Sequence, residues 1–307
     1  MQMKGRGNMK LRTEQGMHLC ETSTVYGQSE YIGIHALAAA ANSLAAAGAS
    51  CLGAGIRIEY PLRIDKSKIY QIEKNIKKTC KERQIELLES GLYANPILTI
   101  PAVTVTGIAG IPQKTEAQTE IRKTYAGLDI VLCGCIGTDG MVQIAQERRE
   151  ELSRRFSPSF IRQILSHRAE LFAGKEIAIA KGRKIPVIRQ ITEGGIFASL
   201  WNLAKELDTG LELDMKQFLI LQETVEVCEH FRINPYQLTS AGSFLMLTED
   251  GEALTEALAA EHIRAAQIGR TTNDKDKIIR NGEDVRYIDR PAPDEMFKIY
   301  TGGQAYD

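Results

Sequence analysis

Four consecutive residues, Thr192-Glu193-Gly194-Gly195, have side chains and backbone of the kind that could hold an anion. A glycine pair opening a helix lets a ligand approach bare backbone N–H groups at the positive end of the helix dipole. Thr192 adds a hydroxyl, and Glu193 could hold a metal or accept a proton. The strand leading in ends in Arg189 and Gln190, where a metal–phosphate site would want a carboxylate. Spacing alone favours a plainer alternative, a strand-to-helix turn with Glu193 suited to the helix N-terminus.

Other chemistry-bearing types give weaker signals. Cys133-Gly134-Cys135 is a single CxC with no second half, which reads as strand thiols rather than a metal site. The histidines at 18, 35, 167, 230 and 262 show no HxxxH or Cys/His spacing and read as structural or surface residues. There is no Walker pattern, no GxSxG, and no GxGxxG after a strand.

The elements that must carry these residues can be read from periodicity. Residues 31–48 are Ala-rich and helical, with Gly48 placed to cap the end. Residues 51–61 alternate as a strand until Pro61. In 67–83, Ile69, Ile72, Ile76 and Cys80 fall on one helical face, with lysines on the other. IELLES and the run ILTIPAVTVTGIAG read as strands, and residues 1–20 as a mobile or strand-like lead-in. After the polar stretch 111–127 come a strand and Gly-rich turn at LDIVLCGCIGTDG and a charged helix over 142–156. A further helix is capped by Ser157-Pro158, and VIRQITEGGIFASLWNLAKEL then gives strand, turn and amphipathic helix. ETVEVCEHF and EALTEALAAEHI read as helices, FLMLTEDG and AAQIGRTT as strands, and RNGEDVRYIDRP as a hairpin and exit. This interleaving implies two α/β domains, 1–115 and 116–307.

At 307 residues the chain is long enough for two cores. Its 43% apolar and 25% charged residues are ordinary globular composition. A net charge of −1 leaves no electrostatic footprint for nucleic acid, and 6% aromatics offers few stacking platforms. No apolar run nears the roughly 18 residues of a membrane span. Six scattered cysteines and a start without an apolar core segment lead us to expect reduced thiols in a cytoplasmic protein.

Residues 187–300, from ITEGGIFASLWNLAKELDTGLELDM through LTSAGSFLMLTEDGEALTEAL to AAQIGRTT, resemble in order the C-terminal domain of the aminoimidazole ribonucleotide (AIR) synthase superfamily. Within it they are similar to the branch of the hydrogenase maturation factor HypE. YIGIHALAAAANSLAAAGAS, AVTVTGIAG and DIVLCGCIGTDG resemble the family's upstream segments more loosely. The resemblance implies a two-domain AIR synthase-like α/β (α+β) fold: an N-terminal domain whose strands meet a second subunit's, and a C-terminal α/β sandwich. It also implies a homodimer binding ATP, with Mg²⁺ held by aspartates.

Those aspartates are where the chain departs from the family. Thr-Asp-Pro corresponds to Thr22-Ser23-Thr24, and Asn-Asp-Leu-Ala to Asn42-Ser43-Leu44-Ala45. Gly-Gly-His-Thr corresponds to Glu89-Ser90-Gly91-Leu92, and Asp-x-Thr-Glu-Gly-Gly to Gln190-Ile191-Thr192-Glu193-Gly194-Gly195. Neutral Ser and Gln oxygens replace carboxylates poorly for a hard cation. HypE proteins also end in a Cys-bearing tail, whereas the last cysteine here is Cys228, so chemistry at a C-terminal thiolate is not expected.

The resulting expectation is a family member with a degenerate nucleotide site, Asn42, Ser43, Gln190, Thr192, Glu193, Gly194 and Gly195, and with no metal ligands and no catalytic residue assigned. It would bind or regulate, as a homodimer or paired with an intact paralogue, with neither nucleic acid nor membrane as partner. One alternative is an active ATP-using enzyme with rearranged ligands among Glu193, Asp139 and Glu89, with Glu14 or Glu21 from the lead-in. Another is a binder of a small molecule in the old cleft, where Gln190, Ser43 and Ser90 would donate hydrogen bonds.

Overall fold

The structure, a computed structural model, describes residues 9–13, 16–111 and 124–301. In chain order the elements begin β1 (Met9–Thr13), β2 (Gly16–Tyr26), α1 (Ile32–Ala46), β3 (Gly53–Tyr60), α2 (Lys66–Glu82), β4 (Glu86–Ala94) and β5 (Ala102–Ile111). Next come β6 (Asp129–Cys133), α3 (Thr138–Glu147), α4 (Arg149–Arg155), α5 (Pro158–Ser166), α6 (Lys175–Gly182), β7 (Val187–Gln190) and α7 (Gly195–Leu207). The chain continues with β8 (Gly210–Asp214), α8 (Gln222–Phe231), β9 (Phe244–Thr248), α9 (Gly251–Ala260), β10 (Ala265–Thr272), β11 (Lys277–Asn281), β12 (Asp284–Tyr287) and α10 (Met296–Thr301).

These elements form two compact units, divided within α3 after Met141. The first holds β1 to β5 with residues 142–172, and the second holds residues 124–141 and 173–301. The expected boundary near residue 115 falls in 112–123, outside the described residues, as does Glu14.

The first unit is a five-stranded sheet in the order β1-β2-β5-β3-β4, antiparallel except for β3 with β4. That parallel pair needs a crossover, which α2 supplies. The predicted face of α2 is the buried one: Ile69, Ile72, Ile76 and Cys80 pack with Ile32, Ala36, Leu37 and Ala40 of α1 over Ile56, Ile58, Val103 and Val105. Asp65 caps α2 by accepting from the Ser67 N–H at 2.9 Å. Helix α1 ends as expected, with Gly48 at φ +91° just past its C-cap.

The second unit is a seven-stranded sheet in the order β12-β11-β8-β10-β6-β9-β7, with β11 and β8 its parallel pair. Every residue of β6 and β9 is buried, including Asp129 and Thr248 at the polar ends of their apolar runs. Ile130, Leu132, Leu245 and Leu247 pack under Ile196, Leu200, Leu203 and Ala204 of α7.

Three readings are corrected. The charged helix over 142–156 is two helices, α3 beginning at Thr138 and α4 at Arg149, with Arg148 at the break (φ −115°, ψ 29°). The run ILTIPAVTVTGIAG is a strand only from Ala102. Pro101 has no N–H for a ladder, and its carbonyl instead accepts from the Gly27 N–H at 3.0 Å. Cys133 is a buried strand residue, but Cys135 is buried in the turn beyond the strand.

Candidate anion turn and its surroundings

Strand β7 lies at the edge of the seven-stranded sheet, and its last residue, Gln190, stands opposite Phe244, the first of β9. Cys133, the last residue of β6, also faces Phe244. One sheet end therefore gathers three loops: 134–138, 191–194 and 238–243. The Ile191 N–H donates to the Ser243 carbonyl at 2.9 Å, and the Gly195 N–H closes the turn on the Thr192 carbonyl at 3.0 Å.

Both glycines are needed for backbone reasons. Gly194 and Gly195 sit at φ +80° and +66°, in the left-handed region that costs other residues energy. A Cβ on Gly195 would come 2.5 Å from the Tyr236 carbonyl oxygen, and one on Gly194 would come 2.7 Å from the Ala198 Cβ. A turn with no ligand at all would demand the same residues.

The anion on this turn comes from the chain itself. The Gly194 N–H donates to Asp294 Oδ2 at 2.7 Å, 100 positions away in sequence. Asp294 is 3% exposed, and its Oδ1 accepts from the Met296 N–H at 2.8 Å. The Thr239 backbone N–H also faces the carboxylate. Burial pushes the Asp294 carboxyl up to about 7; the three N–H groups pull it down, and the Glu193 charge pushes with burial.

Sequence reasoning missed Asp294, treating its segment as an exit. A local signal was present: an Asp two residues ahead of a short helix, whose side chain bonds the backbone N–H two positions on.

Gln190, standing where the resemblance places a carboxylate, is buried, and its Oε1 takes a long bond of 3.4 Å from the Gly242 N–H. Thr192 is half-buried, and Glu193 is exposed. Asp139 lies in the first turn of α3, 2% exposed, and accepts from Thr239 Oγ1 at 3.0 Å. Thr239 thus serves two carboxylates, Asp139 through its hydroxyl and Asp294 through its N–H. The loops are tied further by the Gly137 N–H to Ser240 Oγ at 2.6 Å, and by Ser243 Oγ to the Cys135 carbonyl at 2.8 Å. The structure therefore brings together Gln190, Thr192–Gly195, Asp139 and the unforeseen Asp294.

Asn42 and Ser43 belong to the five-stranded unit. Asn42 is 1% exposed and spends an amide N–H on the Leu171 carbonyl at 2.7 Å, which pins α1 to the segment after α5. Ser43 is half-buried. Ser90 does donate, but to Glu73 Oε1 at 2.8 Å, an oxygen that also takes Lys77 Nζ at 2.7 Å. Glu89 is exposed on β4. Thr22 and Thr24 pair their hydroxyls with those of Thr106 and Thr104, at 2.9 Å each.

A second internal carboxylate appears in this unit. Glu147 Oε1 accepts from the N–H groups of Gln28 and Ser29 at 2.8 and 2.7 Å, just ahead of α1. Burial pushes its carboxyl up, while those N–H groups, Arg148 and His35 oppose the shift. Among the described residues, no group of three or more His, Cys, Asp or Glu side chains is arranged to hold a metal ion.

Comparison with known proteins agrees with this architecture. The AIR synthase related protein C-terminal domain matches residues 126–281, and the chain belongs to that family. A putative hydrogenase expression/formation protein of Methanocaldococcus jannaschii is 24% identical over 273 residues, covering 87% of this chain and 78% of that protein. The carbamoyl dehydratase HypE of Rhizobium leguminosarum bv. viciae is 24% identical over 183 residues, covering 58% of this chain and 49% of the relative. The solved structure of E. coli HypE, a hydrogenase maturation protein, shares the fold with a TM-score of 0.69 at 17% identity, over 91% of this chain and 88% of that one. No helix among the described residues is long and apolar enough to cross a membrane.

Proposed function

We propose that this chain is a binding or regulatory member of the HypE-like branch, with a nucleotide site that no longer performs Mg-ATP chemistry. The carrying observation is the 2.7 Å bond from the Gly194 N–H to Asp294, because it puts the protein's own carboxylate where a phosphate oxygen would need that donor. The neighbouring residues do not fit a magnesium–triphosphate group. Magnesium prefers carboxylate oxygens, and the turn offers the amide of Gln190 and one exposed carboxylate, Glu193. Asp139, at the same sheet end, is buried and engaged with Thr239.

The protein would work in the cytoplasm as a homodimer, or paired with an intact paralogue, alongside hydrogenase maturation. The five-stranded unit supports pairing. Its helices pack over Ile56, Ile58, Val103 and Val105, while the alternate positions Thr22, Thr24, Tyr26 and Arg57 are exposed. Titration calorimetry with ATP, with and without Mg²⁺, tests the reading. Absence of heat into the millimolar range is expected. Micromolar, magnesium-dependent binding would restore the enzyme, and with it Glu193 as the first residue to change.

A further inference from the structure

The segment after β12 approaches the turn and docks on it in a particular way. Asp289 to Pro293 are exposed and without regular structure, and Pro291 and Pro293 have no N–H to offer. Burial begins at Asp294 and continues through Glu295, Met296 and Ile299. Asp294 holds the Gly194 N–H, while Glu295 Oε2 accepts from the Asn234 N–H at 3.1 Å and the Glu295 N–H donates to the Gln237 carbonyl at 3.2 Å. Lys298 Nζ lies 2.8 Å from Glu295 Oε1. These bonds and the buried side chains of Met296 and Ile299 fasten the end of an exposed, proline-bearing tether. A docked segment joined to the sheet through exposed backbone is of the kind that opens locally at less free energy than the sheet itself.

We propose that residues 289–301 are a detachable strap whose Asp294 is the resident occupant of the Thr192–Gly195 turn, so that an external oxyanion reaches the turn only when the strap leaves. The inference rests on reading the turn as an inherited anion-binding loop. It adds an internal competitor, a carboxylate of this chain that imitates the ligand. The opposing arrangement of charge fits a removable occupant. Among the described residues, Asp294 has three N–H donors and no cation on it, and the Glu193 charge bears against it.

Binding of inorganic pyrophosphate, without metal, separates occupancy from mere structure when compared across the wild type, Asp294→Ala and Asp294→Asn. Removing the side chain should tighten pyrophosphate binding at least tenfold, whereas the isosteric amide, which still fills the turn, should leave it near the wild-type value. Equal affinity in all three folded proteins would overturn the strap.

Should Asp294→Ala fail to fold, hydrogen exchange on the wild type decides. Amides 194–197 and 294–297 should exchange together through an opening that leaves β6 and β9 protected. Exchange of those amides only on global unfolding would contradict the proposal. Magnesium-dependent ATP binding by the wild type would sink the functional reading above, yet leave the Ala-against-Asn comparison to judge the strap alone.

Discussion

Ahead of α1 and at the start of α7, the molecule uses one device with two outcomes. In each place a carboxylate from a hundred or more residues along the chain lies on backbone N–H groups: the half-buried Glu147 on Gln28 and Ser29, the buried Asp294 on Gly194. The buried Gly194 N–H would otherwise be left unsatisfied, and the Glu147 contacts replace bonds to water at Gln28 and Ser29, so both stabilise local geometry. The surroundings differ. Glu147 has Arg148 and His35 nearby, which favour its charged form, whereas Asp294 has Glu193, which disfavours it. Glu147 sits on a helix held by its own backbone bonds, and Asp294 on a tether. The contrast teaches that an internal anion can be a fixed brace where cations relieve it, and a labile plug where they do not.

The largest effect that would break this contrast is in the pH dependence of stability. The Asp294 carboxyl has its ordinary value at 3.8 in the unfolded chain and is raised to about 7 in the folded one. Between those values the folded protein keeps a proton that the unfolded chain has released. Stability is therefore lost as pH rises through that window, by a total on the order of 4 kcal/mol. Asp294→Asn is neutral throughout, so urea denaturation should show this slope in the wild type and not in the variant. A matching slope in both would remove Asp294 from the account.

Next in size is Gly195→Ala, which forces a Cβ against the Tyr236 carbonyl at φ +66°. A loss of about 3 kcal/mol or more is expected by thermal denaturation. A neutral result would mean that the turn relaxes freely and cannot present its N–H groups in fixed geometry. Glu147→Ala comes third. It takes the carboxylate from the exposed Gln28 N–H and the half-buried Ser29 N–H and should cost about 1–2 kcal/mol, with Glu147→Gln recovering much of it. The smallest effect is expected at Arg189, whose guanidinium meets Glu206 at 2.6 Å with both side chains about two-fifths exposed. Arg189→Ala should change stability by no more than about 1 kcal/mol, less in high salt.

What could be read in advance divides along the same physical line. Helix α2 was legible because Ile69, Ile72, Ile76 and Cys80 repeat at helical spacing. Strand β10 was legible from AAQIGRTT, and the β7–turn–α7 unit from an apolar run, a glycine pair and an amphipathic helix. Local pattern encodes these. Strand β8 is five residues with two buried leucines, Leu211 and Leu213, too short for alternation to stand out. The break at Arg148 carries no Pro or Gly to mark it.

The candidate site was half legible. The turn residues announce themselves, but nothing near residue 194 indicates that its N–H is taken by residue 294, because that pairing is decided by tertiary packing. The same holds for Asn42. The resemblance placed it at a nucleotide site, and nothing near residue 42 indicates that its amide holds the Leu171 carbonyl.

The contact between the Asp294 carboxylate and the Gly194 N–H can be followed through the Gly194 amide resonance by NMR across the pH range. This resonance should titrate with a midpoint near the raised value of about 7, and Asp294→Asn should abolish the transition. A midpoint in the ordinary carboxylate range, or a transition that survives in Asp294→Asn, would contradict it.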